Sequence, residues 1–211
     1  HGTVVVAESQ TAGRGRLGRP WISPRGVNLY ASILLTTAYA SSAITWIPLL
    51  AAVAVVRTIT TLAGLSLRVK WPNDVLAGGR KLAGVLVERE AEWLVVGVGI
   101  NLAPAPSLAA ALPAGAASLG EFNPAHFTPR ETLCEFLEIL DPIWKKLCDG
   151  GFSAIHAEWC ALARFEEREL LLRREPGAPV EPVRLVALLP DGRLQVRLAN
   201  GELQELSSGD L

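Results

Sequence analysis

Gly13-Arg14-Gly15-Arg16-Leu17-Gly18 places two guanidinium groups in a glycine-rich loop, with Trp21 just beyond it. Glycine lets a backbone turn sharply and approach a ligand, while backbone N–H groups and arginine forks donate to oxygen. A phosphate or a carboxylate is the ligand such a loop suits. Three further segments carry chemistry. Lys70-Trp71-Pro72-Asn73-Asp74 sets a base, an amide and a carboxylate at a strand bend. Arg80-Lys81-Leu82-Ala83-Gly84 opens the next strand with a lysine, and Gly97-Val98-Gly99-Ile100-Asn101 ends a third with small residues and an amide. If these strands are neighbours, their polar ends converge on one concave face. Basic groups there would neutralise a phosphate or carboxylate, and Asp74 could orient an amine or hold a metal ion.

Each segment also has a plainer reading. Asn73-Asp74 fits a simple turn, Lys81 a solvated hairpin lysine, Trp21 a partly buried core aromatic, and Arg14 and Arg16 ordinary loop charges. Their joint occurrence favours a site. The loop matches G-x-G-x-x-G, yet a dinucleotide site needs a helix directly after the glycines and an acidic residue about 20 positions on. Here Arg19-Pro20-Trp21 and Ser23-Pro24-Arg25-Gly26 read as loop, and no Asp or Glu lies between Glu8 and Asp74. The chain also lacks the kinase His-Arg-Asp and Asp-Phe-Gly signatures and the P-loop pattern.

The elements that must position these residues follow from patterning. Thr3–Ala7 and Leu29–Leu35 read as strands on either side of the loop of residues 9–28. Ile47–Leu62 is apolar at nearly every position and reads as a buried helix, with Pro48 in its first turn and Gly64 as its stop. Leu67–Trp71 and Asp74–Ala77 are predicted strands. Gly78-Gly79 turns the chain into Lys81–Glu88, and Trp93–Leu102 follows as another strand. Residues 103–120 read as a loop rich in Ala, Pro and Gly. Thr128-Pro129-Arg130-Glu131 is a capping box opening a helix toward Cys148, with Pro142 expected to kink or break it. Ser153–Leu162 gives one more helix. After Arg164 short alternating strands take over, with tight turns at Asp191-Gly192 and Asn200-Gly201. A small β-barrel over residues 165–211 is therefore expected behind an α+β domain.

The chain of 211 residues is 50% hydrophobic and 19% charged, enough to bury a core as one domain or one domain plus a small module. Ten of its 20 Lys/Arg but only four of its 21 Asp/Glu fall in residues 1–90, which favours a small anionic ligand there. The longest apolar stretch, around Val53–Val56, is expected to fall short of a membrane span because Arg57 interrupts it. Cys134, Cys148 and Cys160 form no C-x-x-C, and His1, His126 and His156 form no H-x-x-x-H. No zinc site or disulfide framework is expected, and reduced thiols fit the cytosol.

Taken in order, Glu8-Ser9-Gln10-Thr11-Ala12 with the glycine loop, Trp21, Lys70–Asp74, Arg80–Gly84 and Gly97–Asn101 closely resemble the biotin–protein ligases. These enzymes attach biotin to carboxylase carrier domains, and the resemblance covers nearly the whole chain. It implies a class II synthetase-like α+β domain with a mixed sheet over residues 1–164 and an SH3-like barrel over 165–211. It also implies ATP-dependent activation of biotin to biotinyl-5′-adenylate and transfer to a lysine of a biotin carboxyl carrier domain. ATP with Mg²⁺ as counter-ion and biotin are then the substrates. The expected setting is cytoplasmic, with no membrane or DNA partner for this chain, no metal site of its own, and a homodimer left open.

Carried over by position, the resemblance assigns Gln10 and Arg14-Gly15-Arg16 to biotin, with the arginines also covering the activated phosphate. Lys81 is assigned to the biotin carboxylate and the α-phosphate, Trp21 to the adenine, and Asn73 and Asn101 to nucleotide placement. Asp74 falls where the acceptor lysine must lose its proton. The family's Ser-Thr-Asn segment, expected on a strand before His1, has no match, and position 1 is not Met. The chain is therefore expected to begin inside the catalytic domain. Two other readings stay in view. A lipoate ligase or octanoyltransferase relative is expected to lack the Gly-Arg-Gly-Arg loop, and a non-catalytic biotin-sensing module would not require Lys81 or Asp74.

Overall fold

The computed structural model describes residues 1–37, 44–104, 115–163, 169–174, 177–207 and 209. Its main sheet contains β1 (Thr3–Ala7), β2 (Asn28–Thr36), β3 (Arg68–Lys70), β4 (Asp74–Ala77), β5 (Arg80–Glu90) and β6 (Trp93–Asn101) in the order β1-β2-β6-β5-β4-β3. All of its strand pairings are antiparallel, so the expected mixed sheet is corrected. The parallel pairing among the described residues is an isolated bridge between Lys81 and Ala116. Hairpin turns explain the difference, since β3–β4, β4–β5 and β5–β6 are each joined by a short bend that can only reverse the chain.

Alternation along the strands gives the sheet two distinct faces. One row across it reads Leu29, Ile100, Ala83, Val75, and each of these is buried. The adjacent row reads Tyr30, Gly99, Gly84, Asp74 and belongs to the opposite face. Helix α1 (Ile47–Ala63) packs on the apolar face, and α2 (Pro129–Cys148) packs on α1 and β2. Each Leu, Ile or Val that α1 buries contributes about 2 kcal/mol relative to exposure. Pro48 sits in the first turn of α1, and Gly64 ends it with a left-handed φ of 67° while its N–H donates to Thr60 O at 2.9 Å. With the turn before it, Ile44–Ala63 is long and apolar enough to cross a membrane despite Arg57, but 67% of that window is buried inside the fold. It is a core helix.

The capping box at Thr128 and Glu131 forms as expected. Of the kink or break expected at Pro142, the break does not occur, since α2 continues to Cys148. Ile143, Trp144 and Leu147 beyond the proline are buried, and that packing holds the last turns against the lost amide bond. Helix α3 (Phe152–Ala163) follows.

A second, smaller sheet runs β7 (Glu169–Leu172), β8 (Glu181–Leu188), β9 (Leu194–Leu198), β10 (Leu203–Leu206), each strand paired with the next. Asp191-Gly192 and Asn200-Gly201 make its turns, with φ of 83° and 88° at the glycines. The β8–β9 turn docks on the main unit through its carbonyls. Trp46 Nε1 donates to Pro190 O at 3.0 Å, Trp71 Nε1 to Gly192 O at 3.4 Å, and His156 Nε2 lies 2.7 Å from Leu188 O. The expected boundary at 164/165 and most of the 103–120 loop lie outside the described residues.

Candidate active site

The site face of the sheet carries Asp74, Gly84 and Gly99 side by side, and the loop of residues 9–28 lies over it. Strict alternation would send Lys81 to the other face, because Gly84 points into the site and three steps separate the two residues. A register shift in the β4–β5 pairing removes that conflict. Val75 pairs with Ala83, but the next residue, Leu76, pairs with Lys81, leaving Leu82 as the extra residue. Leu82 and Ala83 are both fully buried, as expected where alternation is interrupted. The bulge re-aims the lysine, a common use of bulges beside active sites. Lys81 Nζ consequently lies 2.7 Å from Asp74 Oδ1. It is a charge contact out of hydrogen-bond line, and Asp74 Oδ1 is buried with no hydrogen-bond partner among the described residues.

Arg16 reaches the same place from the loop. Its guanidinium donates to Asn73 Oδ1 at 3.3 Å and to the carbonyl of Gly209, beyond the second sheet, at 3.1 Å. Asn73 is itself fixed by its side-chain donation to Val85 O. Trp21 closes the group. Its indole lies on the two glycines, so closely that a Cβ on Gly99 would stand 2.6 Å from the ring and one on Gly84 3.2 Å from it. Lys81 Nζ is 5.2 Å from the ring centroid, a cation–π contact.

The loop holds Trp21 by its backbone, since Trp21 N donates to Gly13 O at 2.8 Å. Ser23 Oγ bonds Gln10 Oε1 at 2.9 Å and Trp21 O at 3.2 Å, tying the two ends of the glycine turn together. Gly13 is required there, because a Cβ would stand 2.3 Å from Trp21 O. Tyr30, on the site face of β2, supports the loop from below by donating to Pro24 O at 3.0 Å.

Arg16, Trp21, Asn73, Asp74 and Lys81 thus come together, with Gly15 in the adjoining turn and Gln10 linked through Ser23. Arg14 and Asn101 stand apart. Arg14 is exposed and pairs with Glu88 at 3.2 Å. Asn101 is 1% exposed. It accepts from Asn28 Nδ2 at 3.3 Å and donates to Ala117 O at 3.1 Å. Its amide therefore braces the segment after residue 115, whose Ala117 N bonds Lys81 O at 2.8 Å. Arg80 fastens that segment too, through Ala116 O at 3.1 Å and Glu121 at 2.6 Å. Burial raises the Glu121 carboxyl, but hydrogen bonds from Arg80 and Ser118 outweigh it and leave it below its ordinary value.

Sequence reasoning missed Asn28, Ser23 and the Leu82 bulge. Asn28 had a signal, being a lone amide at the head of an apolar strand. Ser23 had little, since a serine before proline in a loop is unremarked. Nor did it separate Gly84 and Gly99 as a pair, which requires the β5–β6 register. Among the described residues no group of three or more His, Cys, Asp or Glu could hold a metal ion.

The arrangement sets two cations, Lys81 and Arg16, beside one carboxylate on a single face of the sheet. Residues 1–103 match the biotin/lipoate A/B protein ligase family. A biotin–[acetyl-CoA-carboxylase] ligase of Paracoccus denitrificans is 34% identical over 171 residues, covering 75% of this chain and 70% of that protein. The bifunctional ligase/repressor BirA of Escherichia coli is 41% identical over 107 residues, which is 48% of this chain but 33% of BirA. The chain thus spans about a third of the length of the bifunctional relatives it matches. Among solved structures, the biotin protein ligase of Aquifex aeolicus in complex with biotin and ATP superposes with a TM-score of 0.85 at 29% identity. That match covers 99% of this chain and 87% of the other. With the same fold and this much shared sequence, the chain belongs to the biotin/lipoate A/B protein ligase family.

Proposed function

We propose that the protein activates biotin with ATP and transfers it to a lysine of a biotin carboxyl carrier domain. The observation that carries this reading is the meeting of Lys81 and Arg16 over one face, backed by the likeness to a ligase bound to biotin and ATP. In the first step a biotin carboxylate oxygen attacks the α-phosphorus of ATP, the bond to the bridging oxygen breaks, and pyrophosphate leaves, giving biotinyl-5′-adenylate. Two anions must approach each other, so preorganised cations are what the transition state needs. Lys81 supplies one between carboxylate and α-phosphate, and Arg16 the other. In the second step the acceptor amine attacks the acyl carbon, an amide forms, and AMP leaves. Asp74 is the carboxylate at hand to take the amine's proton.

Gln10, Gly15 and the Arg14 backbone hold biotin in this reading, while the Arg14 side chain closes the loop through Glu88. Asn73 orients Arg16. Asn101 acts on the nucleotide through the segment it braces, and Trp21 lies by the adenine once ligand is bound. Mg²⁺ enters as counter-ion on the phosphates of ATP. Strands β7 to β10 form a C-terminal module docked on the main unit, and Gly209 beyond them accepts from Arg16. The free thiols of Cys134, Cys148 and Cys160 suit a cytosolic setting.

Incubation with ATP, biotin and a carrier domain, probed with streptavidin, tests the reading. A labelled carrier is expected. A carrier labelled only when lipoate replaces biotin, and detected by antibody against lipoyl-lysine, would assign the other branch of the family.

A further inference from the structure

Trp21 covers a flat part of the site face. Gly84 and Gly99 pair directly across β5 and β6, and together they make a strip without side chains on the site face. The indole lies against that strip, touching both glycines. Its Nε1 is buried there with no hydrogen-bond partner among the described residues. A buried donor left unpaired is unfavourable, so this seat is stabilised by stacking and opposed by desolvation. The same ring lies over Lys81 Nζ, which the proposed reaction needs for an anion.

We infer that Trp21 is a specificity-determining residue that acts as an internal competitor. Its indole holds the two-glycine strip until a ligand with its own ring for the strip, and an anionic group for Lys81, displaces it. This rests on the reading that biotin is a substrate. A small carboxylate reaches Lys81 without covering the strip and gains nothing from the exchange. A ring without a carboxylate clears the strip but leaves Lys81 on Asp74. Only a ligand with both features repays removal of the indole. The apparent affinity of a ligand that needs the strip is reduced by the fraction of molecules in which the strip is filled.

The test starts without ligand. The indole N–H resonance of Trp21 is identified by its loss in Trp21→Phe, since the chain has six tryptophans. It is expected to exchange with solvent slowly in the free protein and faster, at a shifted position, once biotin is bound. Stopped-flow binding is expected to show a rate that saturates with biotin for the wild type. In Trp21→Ala the rate should be linear in biotin and about tenfold higher at the wild-type plateau, because no seated ring must leave first. Gly99→Ala provides a second variant, whose added methyl unseats the indole and speeds its exchange without ligand. An indole that exchanges at the rate of an exposed tryptophan in the free wild type would overturn the inference. So would the same saturating limit in Trp21→Ala. A protected indole with no response to biotin supports the occupancy and overturns the biotin reading instead.

Discussion

Lys81 and Asp74 sit on adjacent strands with the lysine amine 2.7 Å from the carboxylate, and only the bulge at Leu82 lets them face each other. In the free protein each neutralises the other. An incoming carboxylate or phosphate competes with Asp74 for the amine, so the two proposed half-reactions draw on one ion pair in turn. In the proposed mechanism Lys81 serves the first with its charge, and Asp74, once released from the lysine, serves the second.

Lys81→Ala should lower formation of the adenylate by about 10²-fold or more, the scale for loss of one preorganised donor. The readout is the rate of adenylate formation in a single turnover. A variant within about threefold of the wild type would show Lys81 to be a solvated hairpin lysine.

Asp74→Asn separates the steps differently. The amide keeps the bend and removes the proton acceptor, so adenylate should still form while transfer to the carrier slows more. Rapid quench of each step alone measures this. Failure of adenylate formation first, with transfer intact, would mean that Asp74 serves the nucleotide or the Pro72-Asn73 bend.

The loop of residues 9–28 is fastened at its ends by Arg25–Glu8 at 2.6 Å and Arg14–Glu88 at 3.2 Å, both exposed pairs of small worth. Opening also requires Arg16 and Trp21 to leave their contacts, so the loop should open transiently and close over an anionic adenylate. Limited proteolysis is expected to cut it in the free protein and to spare it in the presence of biotinyl-adenylate. Equal cutting in both states would contradict a closing lid.

Glu121 gives a prediction in pH. Burial, the largest single effect, opposes ionisation of its carboxyl, but the hydrogen bonds from Arg80 and Ser118 together outweigh it and leave the group below its ordinary value. A lowered value means stability that is present above the unfolded value, ordinarily 4.5, and lost as pH falls through the folded one. Glu121→Gln should therefore be less stable than the wild type near neutrality, and the gap in urea midpoint should close in acid. A gap that is constant down to about pH 3 would show that the ionised carboxylate is not what matters.

Much of this was legible in the residues, and the reasons are local. Gly78-Gly79, Asp191-Gly192 and Asn200-Gly201 announce turns because glycine alone adopts the backbone they need, and Thr128 with Glu131 announces a helix start. The motif residues named a chemistry before any fold was known. Long-range register was not legible. Nothing near Leu82 in the sequence marks a bulge, so the face Lys81 takes was undetermined. Asn101 shares a face of β6 with Gly99, yet nothing in the sequence shows that its amide is taken up by Asn28 and the carbonyl of Ala117. Of the two outcomes left open at Pro142, a break was avoided because helix-breaking is a local tendency and burial of Trp144 and Leu147 overrode it.

The most direct measurement of the central claim is isotope exchange between pyrophosphate and ATP, with the full protein and with biotin as the variable. It reports the first step alone and needs no acceptor. Exchange that depends on biotin and on Mg²⁺, and that falls by about 10²-fold in Lys81→Ala, is the result the account predicts. Absence of exchange in a folded full-length protein, or exchange indifferent to biotin, would contradict it.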